Sequence, residues 1–258
     1  MESEPLIGPT SPPNSALTFS DRFKNYNWKN TFTKWTFVAR ALIILFMVSM
    51  SVANAQTGMV LPFHETECLW DGVFDATAGI NSFLAANEVY RSALLILSSL
   101  LIDLLMVSSA LRFMFFAKTW RSLMFLVSFY SVRGLILGMF LMRFPEGRIF
   151  DDPGFPSLTI TYAKTSDFFF SGHVGFATFS VLENRYYKNF PLMVTAIFTV
   201  LLESFTLTVT RAHYSIDIIS GIVFAHYIWI VTGWAAPYVD RKLIQASKRR
   251  PDEYIRLN

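Results

Sequence analysis

Two short polar motifs interrupt the long apolar runs of this chain. The first is Ser171-Gly172-His173, and the second runs from Arg211 to Asp217 with His213 inside it. A carboxylate four residues after a histidine lies on the same helical face. There it can orient the imidazole and make it a better nucleophile or base. His213, Asp217 and His173 are therefore candidate catalytic residues, and they predict a phosphoryl-transfer site.

The residues beside these histidines suit a phosphate group. Gly172 lets the backbone approach a ligand closely, and N–H groups at a helix start near Ser171 favour an anion. The Arg211 guanidinium can hold two phosphate oxygens at once. We interpret Ser171, Gly172 and Arg211 as phosphate-binding residues. Alternatively, each histidine only caps a helix or anchors it at the membrane surface. The combination of two histidines with Asp217 and Arg211 disfavours this alternative.

The composition is that of a membrane protein. Of 258 residues, 53% are hydrophobic and 16% are charged, whereas soluble domains have about 25% charged residues. The net charge is only +3, and the lysines and arginines cluster in particular loops, which indicates membrane topology and not nucleic-acid binding. The single cysteine, Cys68, excludes an intrachain disulfide and a cysteine-rich metal site.

Six apolar segments come close to the roughly 20 residues that a spanning helix needs. They cover residues 37–57, 92–113, 121–142, 168–185, 190–210 and 216–237. The sequence therefore predicts an all-α polytopic membrane protein with six transmembrane helices. It also predicts a cytosolic, mostly disordered leader over residues 1–35, a catalytic membrane domain over 36–238 and a basic cytosolic tail over 239–258.

The charged residues predict an orientation. Lysine and arginine are abundant in the leader and the tail, whereas residues 56–90 contain only acidic charges. The positive-inside rule then places both termini in the cytosol and both histidine motifs on the non-cytosolic face. We expect the endoplasmic reticulum or the Golgi. Sorting-signal patterns at Glu2–Ile7 and Tyr254–Leu257 keep the plasma or endolysosomal membrane as an alternative.

Four ionisable residues fall near the middle of the predicted spans. A lone charge at that depth is costly, so we expect Asp103 to pair with Arg133, with Glu203 as a rival partner for the arginine. Alternatively, these residues line a headgroup cavity, in which Glu203 could face a choline cation. We expect His226, midway along the last predicted span, to be buried and hydrogen-bonded.

The paired histidine motifs resemble those of the sphingomyelin synthase family, within the wider type 2 phosphatidic acid phosphatase superfamily. The resemblance extends to the plant-type phosphatidylcholine:diacylglycerol cholinephosphotransferases. Three segments are similar to the cholinephosphotransferase version of the motifs, namely Thr210–Asp217, Arg133-Gly134 and Arg143–Pro145. In contrast, Asp167–His173 is nearer the sphingomyelin synthase version, and the likeness covers roughly residues 35–238.

The resemblance implies an enzyme that moves phosphocholine from phosphatidylcholine to a lipid alcohol. His213, oriented by Asp217, would attack phosphorus, forming a phosphohistidine and releasing diacylglycerol. His173 would protonate the departing oxygen and then deprotonate the incoming alcohol. No metal or other cofactor is implied, since Arg211 and backbone donors can hold the phosphate charge.

Several alternatives stay open at this point. The acceptor is diacylglycerol or ceramide, the headgroup is choline or ethanolamine, and a homo-oligomer in the lipid bilayer is left open. A lipid phosphate phosphatase, with water as the acceptor, is disfavoured because the lysine-rich first motif of such enzymes is missing. A non-catalytic scaffold or lipid transporter is disfavoured by the intact set of His173, His213 and Asp217.

Overall fold

A computed structural model describes residues 35–56, 69–140, 142–160, 162 and 168–254. Within these ranges the regular elements are all α-helices, in agreement with the predicted all-α class. They are α1 Trp35–Gln56, α2 Gly72–Ala76, α3 Ala78–Ala86, α4 Glu88–Phe116, α5 Arg121–Met139, α6 Gly172–Tyr186, α7 Phe190–Val209 and α8 Ser215–Tyr254. The predicted leader lies outside the described residues apart from Trp35, and both sorting-signal patterns do so apart from Tyr254 at the end of α8.

Among the residues that the structure describes, four helices are long and apolar enough to cross a membrane. They are α4, α5, α7 and the part of α8 from Ser215 to Lys242. The predicted count of six spans is not confirmed. Helix α6 has 15 residues, about 22 Å at about 1.5 Å per residue, against a hydrocarbon core of about 30 Å. In α1, the apolar stretch found among the described side chains is Phe37–Phe46.

Helix α6 is the centre of the bundle. It buries ten of its 15 residues, and α7 and α8 pack along it. A Cβ added at Gly175 would lie 2.0 Å from the ring of Phe129, so only glycine lets α5 approach so closely. Phe125 stacks on Phe129 and Phe179 with centroid separations of 5.4 and 4.4 Å. An interior position explains why α6 is less apolar than a lipid-facing helix.

The bundle has two ends, which we call the motif end and the opposite end. At the motif end, α6 and α8 begin and α7 finishes; at the opposite end, α4 and α6 finish and α5 begins. Helix α6 connects them, because the N–H of Ser171 donates to the carbonyl of Asp217 at 2.9 Å at the motif end. At the opposite end, Glu183 accepts hydrogen bonds from Arg112 and Ser122.

The segment between α5 and α6 folds back against α4. Phe150 and Ile160 are buried in the main core. The carboxylate of Asp103 on α4 accepts the backbone N–H groups of Leu158 and Thr159 at 2.9 and 3.0 Å. Non-helical backbone at membrane depth is tolerated where protein groups satisfy its donors. Asp103 therefore holds this returning segment in place.

The predicted ion pair between Asp103 and Arg133 is wrong. The Asp103 carboxylate also accepts the hydroxyls of Ser157 and Thr159, so the returning segment satisfies its charge. The Nε of Arg133 instead donates to the carbonyl of Phe170 at 2.9 Å. The donors to Asp103 come from the chain between α5 and α6, to which the sequence assigns no regular element.

The rival pairing and the prediction for His226 are also wrong. The Oε1 of Glu203 accepts the hydroxyl of Ser98 on α4 at 2.6 Å, which ties α7 to α4. His226 is exposed, whereas Ala225 is fully buried and Trp229 nearly so. The register of α8 therefore turns His226 away from the bundle.

Candidate active site

The structure brings the two histidine motifs together at the motif end. A Cβ added at Gly221 of α8 would lie 2.8 Å from the carbonyl oxygen of Ser171. Glycine therefore permits the start of α6 to touch the second turn of α8. His173 is half-buried on the first turn of α6, and the same end contains His213 and Asp217.

His213 and Asp217 form a buried pair. The Nδ1 of His213 and the Oδ2 of Asp217 are 3.1 Å apart, and the side chains are 6% and 0% exposed. The same Oδ2 accepts the backbone N–H of Tyr214 at 3.1 Å. Because a carboxylate accepts, Nδ1 carries the proton, and the lone pair of Nε2 is then free for attack or proton transfer.

The end of α7 fixes the position of His213. The N–H groups of Ala212 and His213 both donate to the carbonyl of Leu207, at 2.9 and 3.3 Å. Arg211 has a φ of +53°, an uncommon conformation for a residue other than glycine. Strained backbone of this kind is often found at functional sites. Two residues after His213 the next helix begins, so the loop has little freedom.

Arg211 extends from this loop toward α2. Its Nη2 donates to the carbonyl of Phe74 at 3.1 Å, and its guanidinium carbon lies 4.6 Å from the centroid of the Phe74 ring. A Cβ added at Gly147 would lie 3.4 Å from the Arg211 Nε. These contacts connect three segments of the motif end. Phosphate binding by Arg211 stays a prediction.

Arg133 lies beside the start of α6. A Cβ added at Gly172 would lie 3.3 Å from the Arg133 Nε and 3.5 Å from its guanidinium carbon. The side chain of Ser171 caps this helix by accepting the N–H of Val174 at 3.4 Å. A guanidinium next to a helix N-terminus is a favourable place for an anion. The sequence places Arg133 inside a predicted span but does not predict its position beside Gly172.

An aromatic cluster covers the His213 side of the site. Phe74, Phe168 and Tyr214 pack together, and the Phe168 ring meets the His213 ring edge-on with centroids 6.0 Å apart. The hydroxyl of Tyr214 donates to the carbonyl of Arg143 at 2.9 Å. Burial raises the pKa of Tyr214 to about 12, so it remains a neutral donor. The cluster shields the imidazole from water.

Two predicted residues contact other parts of the bundle. Asp103 is bound to the returning segment and Glu203 to Ser98, and the described hydrogen bonds of both side chains do not involve the histidine motifs. Among the residues that the structure describes, groups of three His, Cys, Asp or Glu side chains that could hold a metal ion do not occur.

Sequence reasoning missed Asp71. Its carboxylate accepts the backbone N–H and the hydroxyl of Ser215, at 2.6 and 3.1 Å, across 144 positions of sequence. The only local signal was an Asp directly before a short helical segment, which indicates an N-cap of that segment.

A family model described as AtPDCT1/2 matches residues 70–234. The matched range includes both histidine motifs, helices α2 to α7 and most of the membrane-spanning part of α8. Comparisons with curated proteins and with solved structures gave no match.

Proposed function

The chain belongs to the AtPDCT1/2 family of phosphatidylcholine:diacylglycerol cholinephosphotransferases, and we propose that it transfers phosphocholine from phosphatidylcholine to diacylglycerol. The observation that carries the proposal is the buried pair of His213 and Asp217 at 3.1 Å, inside the matched range. The family name includes diacylglycerol as the acceptor. Ceramide has no such support.

In the first half-reaction, His213 Nε2 attacks the phosphorus of phosphatidylcholine. A bond from nitrogen to phosphorus forms, and the bond from phosphorus to the glycerol oxygen breaks. His173 donates a proton to that oxygen, and diacylglycerol leaves. Asp217 stabilises the positive charge that develops on the imidazole, because its carboxylate accepts from Nδ1.

In the second half-reaction, a second diacylglycerol takes the headgroup. His173, now neutral, removes the proton of its hydroxyl, and the oxygen attacks the phosphorus. The bond from nitrogen to phosphorus breaks, so His213 is regenerated and a new phosphatidylcholine leaves. Donor and product are the same kind of lipid, so one residue serves as acid in one direction and base in the other.

The negative charge of the phosphate needs fixed donors. The guanidinium of Arg133 beside Gly172, with the N-terminal N–H groups of α6, supports a phosphate position next to His173. Arg211 would contribute from the α2 side. Fixed donors of this kind stabilise charge in a low-dielectric site without reorganising during the reaction.

The proposal includes an orientation in the membrane. We place both termini in the cytosol and the motif end on the non-cytosolic face of the endoplasmic reticulum or Golgi, with α1 and α6 completing six crossings. The charge distribution of the sequence supports this arrangement. The predicted boundary between residues 238 and 239 lies inside α8, which continues to Tyr254.

A transfer assay with two labels, one on the headgroup of the donor and one on the acceptor lipid, tests the proposal. The protein is expressed in membranes of a host without related enzymes, with choline-labelled phosphatidylcholine and fluorescent diacylglycerol or ceramide. We expect the choline label to appear in phosphatidylcholine that contains the fluorescent diacylglycerol. Release of free phosphocholine would indicate a phosphatase instead, and labelled sphingomyelin would indicate the ceramide acceptor.

Two histidine variants complete this test. His213→Ala should abolish transfer, whereas His226→Ala, at an exposed position of α8, should keep it. If His213→Ala transferred headgroups as fast as an active His226→Ala at matched expression, His213 could not be the nucleophile.

A further inference from the structure

Asp71 lies at the start of two helices at once. Its Oδ1 accepts the N–H of Val73 at 3.0 Å, which caps α2. Its Oδ2 accepts the N–H of Ser215 at 2.6 Å, and its Oδ1 accepts the Ser215 hydroxyl at 3.1 Å. Ser215 is the first residue of α8. One carboxylate therefore joins a segment far away in sequence to the helix that carries Asp217.

This contact acts on the first turn of α8, where Asp217 is the third residue. The first N–H groups of a helix have no partners within the helix. A side-chain oxygen that accepts one of them fixes the entry of the chain, and a carboxylate also complements the positive helix end. The orientation of the first turn sets where the Asp217 carboxylate points.

The segment Asp71–Ala86, which we call the α2–α3 clamp, also contacts residues on both sides of His213 in the sequence. The amide nitrogen of Asn81 donates to the carbonyl of Val209 at 2.8 Å, at the end of α7. The Phe74 ring lies 5.5 Å from the ring of Tyr214. The clamp therefore contacts the loop both before and after His213.

We infer that Asp71 is a positioning residue for the transfer reaction, which holds α8 so that Asp217 stays within hydrogen-bond reach of His213. The inference rests on the proposed function, in which that pair activates the nucleophile. The separation of 3.1 Å is already longer than the roughly 2.7–2.9 Å of a strong charge-assisted bond. A further displacement would break the bond, and misplacement by about 1 Å costs on the order of 100-fold in rate.

The test compares two aspartates at neighbouring positions. Asp71→Ala should lower kcat on the order of 100-fold and leave the KM for phosphatidylcholine within about twofold. The matched control is Asp75→Ala on α2, whose carboxylate accepts only from the Trp70 indole at 2.9 Å among the described contacts. Both substitutions remove a carboxylate from the same segment, but only the first should change kcat.

Asp71→Asn provides the conservative comparison. An amide oxygen caps a helix about as well as a carboxylate, but it offers one accepting atom where Asp71 uses two. We expect a kcat between those of the wild type and Asp71→Ala. This variant carries the test if Asp71→Ala does not fold. Equal kcat per folded molecule in all three proteins and in Asp75→Ala would overturn the inference.

A spectroscopic measurement separates this inference from the proposed function. In protein with ¹⁵N-labelled histidine, four residues give signals, and His213→Ala identifies the one from His213. In Asp71→Ala we expect the His213 signal to change from the Nδ1–H form toward a mixture of tautomers, with no change in Asp75→Ala. An unchanged signal would overturn the inference, whether or not the wild type transfers headgroups. Absence of transfer by the wild type would instead refute the proposed function.

Discussion

Glu183 at the opposite end and Asp217 at the motif end are both almost fully buried carboxylates, and they differ in how completely they are hydrogen-bonded. Each oxygen of Glu183 has a donor, from Arg112 and from Ser122. Arg112 also donates to Asn184 at 2.6 Å. In Asp217, Oδ2 accepts from His213 and from a backbone N–H, whereas Oδ1 lacks a hydrogen-bond partner among the described atoms.

The difference fits a structural tie at the opposite end and the proposed reactive pair at the motif end. A buried charge is expensive unless it is paired and hydrogen-bonded, and Glu183 meets that requirement while joining α4, α5 and α6. Asp217 has one oxygen without a described donor, as Glu203 does at Oε2, but Asp217 is also paired with an ionisable imidazole. Departures from full satisfaction are expected where a side chain must change its interactions during a reaction.

The largest expected effect comes from breaking the pair at the motif end. Asp217→Asn should lower kcat on the order of 10³- to 10⁴-fold, since the amide no longer favours the Nδ1–H tautomer of His213. The variant should keep its shape and its melting temperature in detergent. Kinetics and thermal unfolding of the purified protein check both parts. A kcat within tenfold of the wild type would contradict the assigned role of Asp217.

At the opposite end, the expected effect is on folding. Glu183→Ala leaves Arg112 buried without its carboxylate, which costs about 3–5 kcal/mol. The yield of folded protein should fall strongly, while kcat per folded molecule stays near that of the wild type. Thermal unfolding and active-site titration measure the two separately.

A double variant sharpens that result. Replacing Arg112 and Glu183 together by methionine removes both charges, and a buried pair exchanged for apolar groups is often nearly neutral. Most of the stability should return. A double variant no more stable than Glu183→Ala would show that the other contacts of these residues dominate.

A smaller effect is expected where α6 and α8 touch. In Gly221→Ala the new Cβ would meet the carbonyl oxygen of Ser171 at 2.8 Å, and such overpacking costs about 1–3 kcal/mol. Moving the starts of α6 and α8 apart should have a larger effect on kcat than on the free energy of unfolding. Gly138→Ala is the control, because nothing lies within 4 Å of its added Cβ. Equal effects of the two substitutions on kcat would contradict the importance of this contact.

The smallest expected effect is that of Tyr214→Phe. It removes the hydroxyl that donates to the carbonyl of Arg143, which is worth about 1 kcal/mol. The pKa of Tyr214 is raised from 10.0 to about 12, so the unfolded chain loses this proton first. The advantage of the wild type should therefore be constant below pH 10 and shrink between pH 10 and about pH 12. Unfolding curves across this range would show a constant difference if the hydroxyl were not buried in this way.

Local spacing made the central pair predictable. His213 and Asp217 are four positions apart, so helical geometry alone brings them to one face. Four long apolar runs likewise correspond to α4, α5, α7 and α8. Both inferences depend on residues close in sequence, where the backbone period decides which side chains meet.

Contacts between distant segments could not be predicted in this way. The donors to Asp103 come from a chain segment 54 to 56 positions away, and its apparent depth in the membrane suggested Arg133 instead. The tie between Arg112 and Glu183 spans 71 positions, and that between Asp71 and Ser215 spans 144. From the sequence alone, without knowledge of how the helices are arranged, any buried arginine was an equally good partner for a buried carboxylate.

The most direct test of the central claim is to trap the covalent intermediate. Purified protein is mixed with phosphatidylcholine without an acceptor, quenched under conditions that preserve phosphohistidine, and mapped by mass spectrometry. The proposed mechanism predicts a phosphocholine adduct on His213 that forms more slowly in a variant of His173, because that variant lacks the proton donor for the departing diacylglycerol. An adduct on another residue, or rapid headgroup transfer with His213 unmodified under all conditions, would contradict it.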